Sequence, residues 1–325
     1  MLSLFRTNQL YASFWLLLYV IVLHLSAFLL PTDWQPSGSS LFAQATYHAL
    51  GASSTVANIL AVVLVFFQSL LVHLMCANYK MTSESNFFGG VFYAFVASCF
   101  PDFIHLSPIL MANTFVVLAL YSLFESYKNQ AAADHIFNVG LWIGFASLFY
   151  FSTIIFLLGA LVGLSVVRTF KWRERVILLC GFATAYLLTF TFYFWNDGVA
   201  VFWNEQFADS LRWLNFVGEL DAMDFFKLLF FAFLVLLSVF SVNAYAFKRS
   251  GQAQKYQQIL YIFMLFAATT VLFQQNITLS HLLILSVPLG FFLAFTFSAM
   301  RPQIADALYI LLVAGAILLQ YIHLI

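Results

Sequence analysis

The chain has 325 residues, of which 63% are hydrophobic and 8% charged, and its mean hydropathy is +0.95. Soluble domains carry about 45–50% apolar and about 25% charged residues, so this composition excludes an ordinary soluble protein, and a net charge of zero offers nothing to attract nucleic acid. The three cysteines, Cys76, Cys99 and Cys180, show neither CxxC nor metal-ligand spacing and imply no disulfide framework.

A membrane-crossing helix needs roughly 20 mostly apolar residues, and such runs recur along the whole sequence. Eleven segments are read, at 11–30, 55–76, 86–100, 109–124, 136–150, 153–167, 176–195, 225–247, 257–273, 281–299 and 303–321. All are expected to be helices, because an open strand in lipid leaves backbone groups unpaired. The fold class is therefore all-α, a polytopic transmembrane bundle forming one integral membrane domain over residues 1–325. The first run is too long for a signal-peptide core, and Pro31-Thr32-Asp33-Trp34 follows it where a cleavage site would need small residues. His24 lies in the outer part of this span and reads as a hydrogen-bonded bundle histidine.

The loop 31–54 holds Asp33, Trp34 and His48 and no basic residue. Within it, residues 41–50 place Leu41, Ala45 and His48 near one stripe, the pattern of a helix lying in the membrane interface. Ser53 or Ser54 fits as the cap of the next span. In the loop 99–108, Pro101 and Pro108 bracket Asp102 and His105. The prolines dictate a tight, non-helical connection. Two readings of the acid stand: beside an imidazole it serves as a base or metal ligand, or it caps the following helix. The spans on either side are short and also fit a re-entrant pair. Gly140/Gly144 and Gly159/Gly163 are small-xxx-small patterns on consecutive short spans, which are expected to pack on each other. In the loop 196–224, Trp203, Phe207, Leu211 and Leu214 follow helical spacing and predict an interfacial helix. Arg212 either holds a lipid phosphate through its bidentate fork or pairs with Asp209 or Glu205. Lys227 lies near the outer end of its span. His281 sits at the outer end of another, where Pro288 predicts a kink. Walker, HExxH and GxSxG motifs are absent, and span interiors are nearly free of ionisable residues, unlike an ion-coupled transporter.

Orientation follows from lysine and arginine. With the amino terminus inside, the inner loops hold eleven of the thirteen basic residues, and only Arg212 and Lys227 lie outside. Reading 136–167 as one helix instead of two would turn the basic run Arg168 to Arg175 outward, against the rule. The acids lean the other way, with Asp33, Asp102, Asp197, Glu205, Asp209, Glu219, Asp221 and Asp224 outside.

An acid just after the first span, a second in the next outer loop, and interfacial helices on the outer face make residues 10–225 resemble the GT-C class of membrane glycosyltransferases. Phe100-Pro101 through Asn113 resembles the outer turn between the third and fourth spans of that class, and Gly140 to Phe151 its fifth span. The single Asp33 stands where the class has an acidic pair, and no soluble C-terminal domain follows. Met1 to Gln9 is similar to the opening of a bacterial family of polytopic membrane proteins of about this length, which implies no particular activity. The GT-C resemblance implies a transferase at the outer face of a bacterial inner membrane, acting on a polyprenyl-phosphate-linked sugar. Asp33, Asp102 and His105 would be catalytic, and Arg212, Lys227, His48 and His281 would bind the lipid phosphate. The cofactor would be none, or a divalent metal ion on Asp33 and Asp102. The other readings are a non-enzymatic scaffold of envelope assembly with a membrane-protein partner, and a lipid transporter or flippase.

Overall fold

The computed structural model describes residues 2–6, 10–29, 40–51, 54–82, 86–208, 222–240, 251–271 and 278–321. Among them all regular structure is helical. A single segment broken at His24 forms α1 (Leu10–Leu23) and α2 (Leu25–Leu29), and α3 (Leu41–Leu50) follows. Then come α4 (Thr55–Asn78), α5 (Phe88–Ala97), α6 (Pro108–Glu125), α7 (Ala133–Phe149), α8 (Phe156–Val167) and α9 (Trp172–Trp195). The chain continues through α10 (Val199–Trp203), α11 (Ala222–Phe240), α12 (Gly251–Val271), α13 (Ser286–Ala299) and α14 (Pro302–Tyr321). Every apolar segment read from the sequence coincides with one of these helices.

Five helical stretches are long and apolar enough to cross a membrane: α4, α6, α9, α14, and Leu279–Ala299, in which a 3-10 turn leads into α13. The last of these is where Pro288 was expected to kink a helix. The chain instead changes helix type at Leu285–Ser286. Pro288 then falls in the first turn of α13, where a missing N–H costs nothing. Helix α9 begins at Trp172 and ends at Trp195, 75% and 85% exposed. At 1.5 Å per residue they stand about 35 Å apart, the spacing of two aromatic belts. Between them Leu187, Leu188 and Phe192 face outward.

The core is built on α5, α6 and α13. All ten residues of α5 are buried, and α4 and α13 pack against it. Apolar burial gains little in lipid, so close approach and van der Waals contact hold such helices together. Glycine supplies that approach, but not between the expected partners. A Cβ on Gly140 would meet the Leu178 carbonyl at 1.9 Å, and one on Gly144 would meet Ala185 at 2.6 Å. Helix α7 therefore lies on α9, whose Gly181 answers with an equally close approach to Phe137. Gly159 and Gly163 face Phe266 and Ile259 of α12 instead. The expected packing of α7 on α8 through their glycines is corrected accordingly.

Contacts sort the helix ends into two groups. At one end the Leu2 amide donates to Asp306 Oδ1, the Phe87 amide to the Phe5 carbonyl, and Arg168 to the Ser126 and Asn129 carbonyls. At the other, Gln320 joins Ser26 and Ser98, Asn58 joins Ala27, and Tyr47 donates to the Leu106 carbonyl. Helix α5 alone is about 15 Å long. With its flanking residues it nevertheless links both groups, from Phe87 to Ser98.

Candidate functional site

Pro101–Phe103 form a single 3-10 turn, and Ser107 caps α6 by accepting the Leu110 amide at 3.1 Å, with Pro108 at the first helical position. Asp102 is thus not the cap of α6. Its Oδ2 accepts from Lys227 Nζ at 3.0 Å, and Lys227 also donates to Asp224 Oδ1 at 3.3 Å. Lys227 itself is buried, while the two carboxylate side chains are 37% and 40% exposed. An aromatic contact fixes this geometry. Phe230 and Phe231 of α11 lie against Phe100 at 6.0 and 6.2 Å, and Phe231 lies against Phe103 at 6.3 Å. One turn of helix separates these rings from Lys227, so docking them carries its ammonium onto the Pro101 turn.

Below the turn, buried His105 brings Nδ1 to 3.4 Å from Asn58 Oδ1, and the Asn58 amide donates to the Ala27 carbonyl at 3.0 Å. Burial pushes the His105 imidazole below its ordinary value, and the Asp102 carboxylate pulls the other way. His24 lies within electrostatic reach of His105. Its Nδ1 bonds the Val20 carbonyl at 3.0 Å, which requires the proton on Nδ1 and leaves Nε2 an acceptor, buried and unpaired. The turn Leu279–Leu285 packs against the Pro101 turn. There His281 Nδ1 meets the Tyr150 hydroxyl at 2.9 Å, with the rings stacked 5.9 Å apart.

The structure thus gathers Asp102, His105 and Lys227 in one cluster, with His281 on an adjoining turn. His48 is exposed on α3. That helix buries Leu41 and Ala43 and turns Ala45 outward as well, so the expected Leu41–Ala45–His48 stripe is not its packed face. Asp33 and Arg212 lie outside the described residues, as does the continuation of the loop helix beyond Ala208. Ser54 caps α4, accepting the Ala57 amide at 3.1 Å. Among the described residues, no group of three His, Cys, Asp or Glu side chains is set to hold a metal ion.

Sequence reasoning named Asp102 and Lys227 separately and did not pair them. Asp224 carried a usable signal, its three-residue spacing from Lys227. Asn58 carried another, a polar residue inside an apolar span. Nothing local pointed to Tyr150. Comparison with protein families, curated proteins and solved structures finds no match to this chain.

Proposed function

We propose that this chain is a multi-pass protein of a bacterial inner membrane with eleven crossings, amino terminus in the cytoplasm and carboxyl end outside. We further propose that it works at the outer face as a GT-C-like glycosyltransferase on a polyprenyl-phosphate-linked sugar. The observation that carries this reading is buried Lys227 bridging Asp102 and Asp224 at the membrane boundary, beside His105. Ionisable groups are costly at that depth and mark functional positions by default. The two groups of helix ends support alternating crossings, and the one-sided distribution of basic residues supports the orientation.

In the transfer, a carboxylate takes the acceptor hydroxyl's proton while the bond from sugar to phosphate breaks and the phosphate leaves. Asp33 is assigned the base, with Asp102 and His105 assisting. Lys227, Arg212, His281 and His48 are assigned the lipid phosphate. A second reading is favoured by one feature: Lys227 already has two carboxylate partners. An ion pair that locks α11 to the Pro101 turn needs no substrate, and it suits a non-enzymatic scaffold of envelope assembly.

The test is cleavage of a polyprenyl-phosphate sugar by the purified protein in bilayers. The transferase reading expects turnover by the wild type and a loss of about 100-fold or more in Asp102→Asn, the size of a general acid–base contribution. Exchanging the charges with Asp102→Lys and Lys227→Glu should restore the lock and not the turnover. A folded wild type without turnover, or turnover recovered by the exchange, supports the scaffold instead.

A further inference from the structure

A groove of about 670 Å³ opens between α11 and α14, and every residue lining it is apolar. Phe226 and Phe233 form one wall, Leu311 and Leu318 the other, and Gly315 meets Phe230 at the floor. Along α11 the lining runs from Met223 to Leu236, about 20 Å at the helical rise. One leaflet of a bilayer's hydrocarbon is about 15 Å deep. The groove therefore has the reach of a single extended lipid chain.

Its mouth is the charged cluster. Met223 lines the groove and Asp224 is the next residue. Phe230 touches Phe100, two residues before Asp102. On the other wall Leu319 lines the groove, and neighbouring Gln320 is tied to the Ser98 carbonyl. The mouth carries two carboxylates and one ammonium, a net charge of −1. The buried group is the ammonium, and the partly exposed groups are the acids. Each acid spends one oxygen on Lys227, Oδ2 of Asp102 and Oδ1 of Asp224. What an approaching headgroup meets is carboxylate oxygen.

We propose that this groove seats one acyl chain of a membrane phospholipid whose primary-amine headgroup lies on Asp102 and Asp224. A primary ammonium has three N–H donors for these oxygens, and charge assistance makes such bonds strong. A choline headgroup has no N–H to give. A glycerol headgroup brings only the negative phosphate, which the net charge repels. The inference does not depend on the transferase reading, since it concerns occupancy and not turnover.

Native mass spectrometry of the purified chain, released from bilayers of equal phosphatidylethanolamine, phosphatidylcholine and phosphatidylglycerol, reads the bound lipid directly. The wild type should retain phosphatidylethanolamine about tenfold over phosphatidylcholine, the ratio given by one charge-assisted bond. Asp224→Asn and Asp102→Asn should each bring that ratio close to one, with thermal unfolding confirming that the variants are folded. Asp224 is at the exposed end of a helix, so its variant carries the test if Asp102→Asn does not fold. Ala232→Phe, which places a ring in the groove from its exposed rim, should lower retention of every lipid. Equal retention of the two zwitterionic lipids by the wild type would overturn the proposal. So would a preference for phosphatidylglycerol, an amine preference that survives Asp224→Asn, or undiminished retention in Ala232→Phe.

Discussion

Lys227 is the residue on which the local energetics turn, because its two sides are not equivalent. Its own side chain is 7% exposed, whereas those of Asp102 and Asp224 are 37% and 40% exposed. Lys227→Met leaves two acids that water can reach, at a cost of about 1–2 kcal/mol. Removing both acids, by Asp102→Asn with Asp224→Asn, strands a buried ammonium and should cost about 3–5 kcal/mol. Adding Lys227→Met to that pair should recover most of the loss. Thermal unfolding in lipid checks the order, and equal costs for the two removals would mean that Lys227 is hydrated. His105 gives a pH dependence of definite sign. Its folded-state value lies below the ordinary imidazole value of about 6.5. The unfolded chain therefore binds the proton first, and the contribution of neutral His105 is complete above about pH 6.5 and is lost as pH falls through the lower folded value. His105→Gln should flatten the fall in Tm between pH 7.5 and 5.5, and an unchanged slope would remove His105 as its source. The sequence displayed both Asp102 and His105 but not their partners. Lys227 and Asn58 lie 125 and 47 positions away, and spacing within one turn says nothing about contacts at that range.

Among the elements, α5 and α7 show where hydrophobic pattern stops being informative. Eleven apolar segments were legible because lipid demands them. Which helix touches which was not, because every face of these segments is apolar and offers no stripe to follow. Gly140 and Gly144 signalled a close partner correctly. The partner chosen was the neighbouring glycine pair on α8, although Gly181 and Ala185 of α9 form an equally good small-xxx-small pattern. The structure places backbone against these positions, and backbone does not yield. Gly140→Ala should therefore destabilise by at least the about 1–3 kcal/mol of an overpacked core, seen as a lower Tm. Gly163→Ala should be tolerated, since its Cβ meets only the end of the flexible Leu123 side chain at 3.1 Å. Similar losses for both would mean that α7 and α9 are less closely apposed than the structure shows.

For the whole molecule, the two groups of helix ends and the distribution of charge tell one story from independent sources. Arg168 bonds the Ser126 carbonyl just beyond the end of α6, while the Asp102 turn leads into the start of the same helix. The basic run and the acidic cluster thus occupy opposite ends of an 18-residue apolar helix. Basic residues belong to the cytoplasmic side, which sets Asp102, Asp224, His105 and the groove mouth against the outer leaflet. Every functional statement made for this chain assumes that placement. Reporter fusions made after Arg175 and after Asp224 test it directly. The account predicts a cytoplasmic signal from the first and an external signal from the second. The same location for both fusions, or the reverse assignment, would contradict it.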